Sequence, residues 1–368
     1  MRSWRRRDLL LSGPIGLLGG SGLLSRGHSQ GASGSEISFT DPEGQNIVLH
    51  GPARRIVDLR TTVAAFAIAA HGSASRLIGI NRIARSMFER GLIGRLFPEI
   101  LTISADVVAG DGTPNVEGLI NLNPDIVVDW SGSGRDTAAV LRKAGLTVVS
   151  YDSALGSIAQ TIETLLYLFG RMIGDTTRAQ RITSTMREMM ARLAVIQNIP
   201  MAERPKVLII MFAGDRIYAS GDGFDTLIRD AGGRNVAGSV PGLVATNPEQ
   251  ISAWDPDVIL LFQTKQARPE LVLNHSVLAA CKASTARRVY VLPLGANNWG
   301  SMGPDEFLAA IWLAELLYPG QLAMTLRGDM EKAYFTMFGH TLTAGETDSI
   351  LRMDLNGSSA AYSRFGQR

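Results

Sequence analysis

Arginine and aromatic side chains follow several predicted strands of this sequence, at the point where each strand ends. In chain order they are Arg60, Arg82, Trp130, Arg216, Tyr218 and Trp299. Guanidinium groups bind anions in a fixed fork geometry, and aromatic faces pack against apolar or cationic groups. Because the carboxyl ends of parallel strands meet at one edge of a sheet, these side chains predict a binding site for an anionic ligand with apolar surface.

Smaller polar residues at the same predicted strand ends complete this site. They are Thr61, Thr62, Ser131, Gln263, Asn297 and Asn298. For every member of the set a structural alternative stays open. The arginines would then be ordinary surface residues, and the aromatic rings would pack in the core.

The sequence lacks the motifs of catalytic and metal sites. It has a single cysteine, Cys281, and five histidines at positions 28, 50, 71, 275 and 340, none of them in an H-E-x-x-H spacing. There is no G-x-S-x-G motif, and the loop Gly132-Ser133-Gly134 has Thr137 where a dinucleotide fingerprint needs its third glycine. We therefore expect no enzyme activity, no cofactor, and no metal ion held by side chains alone.

One phrase occurs twice, as NVEGLINLNPDIVVDW from Asn115 and as NPEQISAWDPDVILLF from Asn247. Both copies begin with Asn and place Pro and Asp at the tenth and eleventh positions. The pattern predicts a capped helix that stops before a buried strand. The glutamate at the third position, Glu117 or Glu249, should then lie in the first turn of the helix, either as a capping-box carboxylate or as a contact for a partner.

Strands and helices alternate along both halves of the chain, which predicts an α/β protein with parallel sheets. In the second half the pattern predicts a loop over 212–218 and a helix over 275–282. We divide the chain into a leader over residues 1–30, a first lobe over 37–152, a linking region over 153–200, a second lobe over 201–351 and a disordered tail over 352–368. The linking region has no proline between 155 and 197, so it is predicted as a pair of helices or as one long kinked helix.

The leader is basic and carries Arg6-Arg7-Asp8-Leu9-Leu10, which fits the twin-arginine export pattern. Without residues 1–30 the net charge changes from +2 to −2, so a nucleic-acid partner is not expected. No cysteine lies near the end of the leader to carry a lipid anchor. We expect an exported periplasmic protein that is a monomer and not a lipoprotein.

The order and spacing of several stretches resemble one family, the periplasmic substrate-binding proteins of bacterial ABC importers for ferric siderophores, haem and vitamin B12. Between about residues 37 and 351 they include ARRIVDL, TTVAAFAIAAHGSASRLIGI, NVEGLINLNPDIVV, ETLLYLFGRMIGDTTRAQRI, GFDTLIRDAGGRNVAG, NPEQISAWDPDVILL, ARRVYVLPLGANNWGS, FLAAIWLAELLYPGQL and FTMFGHTLTAGETDSIL. The resemblance implies two Rossmann-like lobes with central sheets, joined by a long rigid linker helix, and a ligand cleft between the lobes.

The resemblance also implies a partner and a class of ligands. Glu117 and Glu249 match the glutamates with which each lobe docks onto arginines of the membrane permease. A ferric siderophore is favoured, because a metal would have to arrive already wrapped by a chelator. Haem, with Tyr218 as its ligand, cobalamin, and a small oxyanion such as molybdate or tungstate stay open, as does an exported enzyme on the same fold.

Overall fold

The computed structural model describes residues 36–109, 112–131, 136–151, 156–238, 242–323 and 325–366. The predicted export signal with Arg6 and Arg7 lies outside the described residues, and so does the loop Gly132-Ser133-Gly134. Within the described ranges, no helix is long and apolar enough to cross a membrane.

Apolar, β-branched runs form the strands, and the amphipathic or apolar segments between them form helices. The first half contains β1 (Ile37–Thr40), β2 (Asn46–Leu49), β3 (Ile56–Asp58), α1 (Ala64–His71), β4 (Leu77–Ile80), α2 (Arg82–Arg90), α3 (Leu92–Leu96), α4 (Val116–Leu122), β5 (Ile126–Trp130), α5 (Thr137–Lys143) and β6 (Val148–Tyr151). The linking region contains α6 (Ile158–Ile173), α7 (Thr177–Met190) and α8 (Ala194–Gln197).

The second half continues the alternation and adds helices at its end. It contains β7 (Lys206–Ala213), β8 (Arg216–Ser220), α9 (Asp225–Asp230), β9 (Arg234–Asn235), β10 (Leu243–Thr246), α10 (Pro248–Trp254), β11 (Val258–Leu261), α11 (Glu270–Leu273), α12 (Lys282–Thr285), β12 (Val289–Val291), α13 (Glu306–Leu317), α14 (Leu326–Phe338), α15 (Ala344–Ile350) and α16 (Met353–Asn356).

Each half has a central sheet with parallel core strands. The first sheet has the order β4-β3-β5-β6 and is parallel throughout. The second has the order β10-β8-β7-β11-β12, in which β7, β11 and β12 are parallel and β8 and β10 are antiparallel additions. The predicted α/β architecture of two lobes is confirmed, and the carboxyl ends of the parallel strands supply loops for a ligand site.

The repeated phrase builds the same helix start in both lobes. Asn115 accepts a hydrogen bond from the backbone N–H of Gly118 at 3.0 Å, and Asn247 accepts one from Gln250 at 2.8 Å. Both asparagines are therefore N-caps, of α4 and of α10, as the sequence predicts.

The repeated aspartate connects neighbouring strands in both lobes. Asp125 precedes β5 and accepts hydrogen bonds from the backbone N–H groups of Arg54 and Arg55, at 2.6 and 2.9 Å, just before β3. Asp257 precedes β11 and accepts one from Lys206 at 2.8 Å, at the start of β7. The aspartate therefore fixes the start of one parallel strand against the next.

Two helices connect the lobes. The first, α6, has 16 residues and begins at a capping box formed by Ser157 and Gln160. It ends at Gly174 with φ at +76°, a left-handed conformation that suits glycine. Since α7 then packs against α6, the linking region is the pair of helices that the sequence allows.

The core continues from the linking helices into both lobes, and α13 lies within it. All residues of α13 are buried, so its two carboxylates, Glu306 and Glu315, are enclosed in a helix that is otherwise apolar. Charged side chains are rarely buried in this way, which makes both glutamates candidates for a special role.

The structure corrects the sequence prediction at two places in the second lobe. Residues 212–218, expected as a loop, form a hairpin of β7 and β8, in which Gly214 has a φ of +59°. Residues 275–282, expected as a helix, contain a 3₁₀ segment at Leu278–Ala280 and the start of the short α12. The ring Nδ1 of His275 accepts from the backbone N–H of Val277 at 3.1 Å, which competes with helix formation.

The prediction of a disordered tail is wrong for residues 353–366. Tyr362 and Phe365 are both buried in the core cluster. The side chain of Asn356 pairs with the backbone of Val291, accepting at 2.7 Å and donating at 2.9 Å. Two anchoring aromatic rings and this amide pair hold a polar segment against β12.

Candidate ligand-binding site

A cavity of about 350 Å³ lies between the carboxyl ends of the first sheet and the loop that follows β12. It is lined by Arg60, Thr61, Thr62, Asn81, Trp130 and Tyr151 of the first lobe, by Ile158 and Thr161 of α6, and by Phe224, Thr226, Leu227, Gly300, Ser301, Met302 and Glu306 of the second lobe. Its position at the ends of parallel strands is where α/β proteins commonly bind ligands. Its volume lies within the roughly 300–1,000 Å³ of small-molecule sites.

Arg60 is a charged group on the first-lobe wall, and its position is fixed by Asp129. The Nε of Arg60 donates to Oδ1 of Asp129 at 2.7 Å. Burial raises the pKa of Asp129, and the adjacent guanidinium opposes this rise. Because Arg60 follows β3 and Asp129 lies in β5, the ion pair holds the cation at the edge of the sheet, with further N–H groups left for a ligand.

Asp58, at the end of β3, is a fully buried carboxyl two residues before Arg60. Its Oδ1 accepts from the backbone N–H of Arg60 at 2.8 Å. Burial raises the pKa of Asp58 to about 8, although the backbone bond and the Arg60 charge oppose this rise. Its Oδ2 has no hydrogen-bond partner among the described residues. At neutral pH Asp58 is therefore mainly uncharged, and the group formed with Arg60 and Asp129 has a net charge near zero.

A buried aspartate organises the loop between β12 and α13. Oδ2 of Asp305 accepts from the backbone N–H of Ala296 at 2.8 Å, the indole N–H of Trp299 at 3.0 Å and the hydroxyl of Tyr334 at 2.9 Å. A Cβ at Gly295 would collide with this carboxylate. The loop therefore wraps around Asp305, and its tip, residues 300–302, reaches the cavity.

Glu306, the first residue of α13, belongs to the second-lobe wall. Its Oε1 accepts from the backbone N–H of Gly300 at 2.7 Å. Burial raises the pKa of Glu306 to about 8, and the neighbouring Asp305 adds to this rise. No described residue provides a hydrogen-bond partner for its Oε2. The second-lobe wall thus carries a carboxyl group that is mainly protonated at neutral pH.

Four residues of the set predicted from the sequence line the cavity: Arg60, Thr61, Thr62 and Trp130. The indole N–H of Trp130 is buried and has no acceptor within the described ranges. The Thr62 side chain hydrogen-bonds Tyr151, and burial raises the pKa of the Tyr151 hydroxyl. The structure therefore brings together the part of the predicted set that belongs to the ends of β3 and β5.

The polar residues that follow β4, β5 and β11 have partners elsewhere. Arg82 forms an exposed ion pair with Asp106 at 2.6 Å. The hydroxyl of Ser131 donates to Glu43 at 2.8 Å, and the amide of Gln263 donates to a backbone carbonyl at 2.6 Å. Arg82, Ser131 and Gln263 thus lie outside the cavity lining.

Arg216 and Tyr218 are residues of β8, because the expected loop is a hairpin. Arg216 is exposed and Tyr218 is half-buried, and the cavity lining as described contains neither side chain. A role of Tyr218 as a haem ligand therefore gains no support from this cavity.

Asn297, Asn298 and Trp299 are buried inside the loop after β12. The Trp299 ring is 0 % exposed and its N–H is bonded to Asp305. The amide of Asn298 donates to the sulfur of Met87 at 3.3 Å. The Trp299 ring packs in the core, which was the structural alternative, so its predicted contact with the ligand gains no support from this cavity.

The sequence reasoning missed much of the second-lobe wall. The missed lining residues of the second lobe include Phe224, Thr226, Leu227, Ser301, Met302 and Glu306, and Tyr151 was missed in the first lobe. A signal for Glu306 was present, because Asp305-Glu306 directly precedes the apolar run FLAAIWLA. A run that is apolar on every helix face is buried, and it carries its first-turn carboxylate with it.

Glu117 and Glu249 lie on exposed helix starts, one in each lobe. Each is the second residue of its helix, whereas a capping box uses the third position. In the part of the chain that the structure describes, neither carboxylate has a hydrogen bond or an ion pair. The capping-box alternative is thus excluded, and both charges are available at the surface.

Within the described residues, no group of three or more His, Cys, Asp and Glu side chains is placed to hold a metal ion. Cys281 is buried. The described lining of the cavity combines the fixed cation of Arg60, the buried carboxyl of Glu306 and aromatic rings, which are groups that can recognise a ligand.

The description "periplasmic binding protein" belongs to a family model that matches residues 102–294, just over half of the 368-residue chain. The chain belongs to the periplasmic binding protein family. The resemblance seen in the sequence is therefore confirmed at the level of the family. Members and structural neighbours of this family are binding proteins.

Relatives of this binding protein include proteins for two different ligands. It is 27 % identical over 242 residues to the cobalamin-binding protein of Halobacterium salinarum, a match that covers 63 % of this chain and 61 % of that protein. It is 24 % identical over 267 residues to the molybdate-binding protein MolA of Haemophilus influenzae, covering 67 % and 75 % of the two chains. The binding protein thus spans about three-fifths of the length of its cobalamin-binding relative.

Solved structures share the fold of this binding protein. A periplasmic solute binding protein from Veillonella parvula superimposes with a TM-score of 0.76 at 23 % identity, over 88 % of this chain and 99 % of that chain. The Haemophilus influenzae MolA bound to molybdate gives a TM-score of 0.70 at 18 % identity, over 83 % and 99 %. At such identities the likeness establishes the two-lobed architecture.

Proposed function

We propose that this binding protein captures an organic metal chelate in its interlobe cavity, with a ferric siderophore as the first candidate, and delivers it to an ABC permease. The observation that best supports this proposal is the composition of the cavity walls. Trp130 and Tyr151 from one lobe, and Phe224 and Met302 from the other, line the same cavity as the fixed guanidinium of Arg60. An organic chelate combines apolar edges with oxygen atoms, which suits aromatic walls around a cation.

A small oxyanion matches this cavity less well. Its recognition needs several hydrogen-bond donors that converge on a small pocket. The cavity of about 350 Å³ has the volume of about a dozen water molecules. Arg60 already binds Asp129, and Glu306 adds a buried carboxyl to the wall. Molybdate or tungstate is therefore the less favoured ligand.

A corrinoid is the second candidate, and the similarity to a cobalamin-binding relative favours it. The match to the cobalamin-binding protein of Halobacterium salinarum covers 63 % of this chain. A corrinoid also combines apolar edges with amide groups, so the same walls suit it. The cavity would then contact one edge of the ligand as the lobes close around it.

Mass spectrometry and metal analysis of the protein isolated from a periplasmic extract test this proposal. Iron with an organic chelator supports the siderophore, and cobalt with a corrinoid supports the second candidate. Tryptophan fluorescence titrations with a ferric trihydroxamate chelate, cyanocobalamin, haemin and sodium molybdate then give the affinities. Binding of molybdate alone, or turnover of any ligand, contradicts the chelate proposal.

Under this proposal, Glu117 and Glu249 contact the permease. Glu117 and Glu249 are exposed, unpaired within the described residues, and placed at the same point of the repeated phrase in each lobe. Two such carboxylates suit two arginines of a membrane permease that contacts both lobes of a monomer at once.

We also propose that the protein is exported by the twin-arginine route, because Arg6-Arg7 fits the motif of that signal. Replacing both arginines with lysine keeps the charge and removes the motif. We expect the variant to remain in the cytoplasm, as fractionation of cells would show. Periplasmic recovery equal to that of the native sequence would contradict this route.

A further inference from the structure

Trp130 and Glu306 line the cavity from opposite lobes, and each has one buried polar atom that lacks a partner in the described structure. These atoms are Nε1 of Trp130 and Oε2 of Glu306. A buried polar atom without a partner is unfavourable. Thirteen such atoms occur among the described residues, and within the described lining of the cavity they belong to Trp130 and Glu306. A ligand that hydrogen-bonds both atoms would give each of them the partner that the described chain does not supply.

The two atoms define the chemistry of that ligand. An indole N–H can only donate, so the group facing Trp130 is an acceptor. At Glu306 the two oxygens differ, because Oε1 accepts from Gly300 whereas Oε2 has no N–H or O–H group of the described chain beside it. A carboxylate would need a donor at both oxygens, whereas a carboxylic acid needs an acceptor at Oε2–H.

The charged surroundings of Glu306 favour the acid. On its own segment Asp305 adds a negative charge, and this charge already engages Tyr334 of α14. Other ionisable groups of the described chain near the cavity are Asp225, Arg229 and Asp230 of α9, in which Arg229 pairs with both aspartates, and Arg60, which pairs with Asp129. The buried Asp58 and Tyr151 complete this set. None of these described groups offers an unpaired cation to Glu306.

We propose that Glu306 meets the ligand as an uncharged carboxylic acid, which donates its Oε2–H to an oxygen of the ligand, while Trp130 donates to a second oxygen from the opposite lobe. This inference rests on the proposed function and narrows its ligand class. The chelate presents acceptor oxygens on two sides, as hydroxamate, catecholate or carboxamide groups do. A ligand that presents ammonium groups at these points is disfavoured.

Binding through protonated Glu306 should depend on pH. The pKa of Glu306 is raised to about 8, so the acid is present at pH 7 and is lost above pH 8. If only the acid binds, the affinity should fall about tenfold between pH 7 and pH 9. Replacement by glutamine keeps an N–H donor in place of Oε2–H and removes the titration.

Isothermal titration calorimetry at pH 7 and pH 9 tests this, with a ferric trihydroxamate chelate and cyanocobalamin as probes. We expect wild-type affinity to fall about tenfold between the two pH values. Glu306→Gln should bind within about threefold of wild type at pH 7, and its affinity should fall less than that of wild type at pH 9. Any remaining fall belongs to Asp58, whose pKa is also raised to about 8 and which bonds Arg60. Trp130→Phe should weaken binding about fivefold at both pH values, since one donor is lost. Glu315→Gln is the matched control, a second buried glutamate of α13 outside this cavity, and should keep the wild-type pH dependence.

An unchanged pH dependence in Glu306→Gln overturns the inference, and so does a wild-type affinity that is constant from pH 7 to pH 9. If neither probe binds, the chelate proposal fails, and the protonation state of Glu306 is then measured in the ligand-free protein. Infrared difference spectra across pH 8 should then contain one fewer carbonyl band of a protonated carboxyl in Glu306→Gln than in wild type, whereas the band of Asp58, which titrates in the same range, stays in both proteins. Identical spectra for both proteins overturn the inference. If Glu306→Gln does not fold, the pH dependence of wild type and the effect of Trp130→Phe decide whether the inference stands.

Discussion

At the scale of single residues, Asp58 connects the stability of the first lobe to pH. Its carboxyl is buried, and its pKa is raised from 3.8 to about 8. A raised carboxyl pKa in the folded state gives stability that is present at low pH and is lost as the pH rises towards 8. Asp58→Asn keeps the acceptor for the Arg60 N–H and removes this loss. We expect the variant to be more stable than wild type by about 1–3 kcal/mol at pH 8.5.

Thermal unfolding at pH 5 and pH 8.5 checks this prediction. The gain of Asp58→Asn over wild type should be larger at pH 8.5 than at pH 5. Asp106→Asn is a suitable control, because the Asp106 side chain is 77 % exposed and its ion pair with Arg82 lies at the surface. An equal gain at both pH values would show that Asp58 is ionised throughout this range.

Gly295 gives a second prediction at this scale. A Cβ there would meet the Asp305 carboxylate, the Trp299 indole at 2.6 Å and the Tyr334 hydroxyl at 2.7 Å. Gly295→Ala must therefore displace the loop that carries one wall of the cavity, and we expect a loss of about 2 kcal/mol or more in stability. Gly328→Ala is the control, since its Cβ meets no described atom within 4 Å and lies in α14, where alanine is preferred by about 0.5–1 kcal/mol. Urea unfolding of both variants measures the difference, and equal stabilities would contradict the collision.

The sequence predicted the path of the backbone more reliably than the direction of individual side chains. Arg60 and Trp130 were found because strand ends can be located from apolar runs. Trp299 also follows a strand, but its ring turns inward to Asp305, a direction set by a hydrogen bond that no local pattern shows. Glu306 was missed because a carboxylate beside apolar residues is usually taken as an exposed helix start.

At the scale of elements, the two copies of the repeated phrase were the part predicted in most detail. The asparagine predicts the helix cap, the proline predicts the end of the helix, and the apolar run predicts the strand. These preferences depend only on neighbouring residues, so the sequence shows them directly. The hairpin of β7 and β8 and the ordered tail depend on contacts far apart in the sequence. Tyr362 and Phe365 are buried against the second lobe, and a composition argument does not include such long-range contacts.

The repeated aspartates yield a prediction for the elements they connect. Asp125 accepts two backbone N–H bonds before β3, and Asp257 accepts one at the start of β7. Replacing either with alanine leaves these N–H groups to water, and the Asp125 bonds are exposed. We expect Asp125→Ala to lose about 1–2 kcal/mol and Asp257→Ala about 1 kcal/mol.

Thermal unfolding of Asp125→Ala and Asp257→Ala ranks the two losses, and hydrogen exchange of the Arg54, Arg55 and Lys206 amides locates them. Asp354→Ala is the control, because the Asp354 side chain is 62 % exposed and forms only a surface ion pair with Arg352. Losses no larger than that of the control would mean that the aspartates do not stabilise the strand starts.

At the scale of the whole molecule, the ligand cavity and the two glutamates occupy different parts of the structure. The cavity is formed by strand ends, a loop and buried carboxyls, whereas Glu117 and Glu249 lie on exposed helix starts. A substitution at one should therefore leave the other unchanged, since sites without shared contacts act independently. Ligand capture and delivery to the permease should be separable by mutation.

Reversal of the two glutamate charges tests this separation. Glu117→Arg and Glu249→Arg would place a positive charge opposite the arginines that we propose for the permease, and like charges at an interface are strongly unfavourable. We expect each single variant to reduce uptake of the ligand by cells at least tenfold and the double variant to abolish it, while the affinity of the purified protein for its ligand stays within about twofold of wild type. The matched controls are Glu99→Arg and Glu203→Arg, which reverse exposed glutamates outside α4 and α10 and should transport normally. An equal loss of uptake in the controls would assign the effect to net charge, and a changed ligand affinity in Glu117→Arg or Glu249→Arg would place that glutamate in capture rather than in delivery.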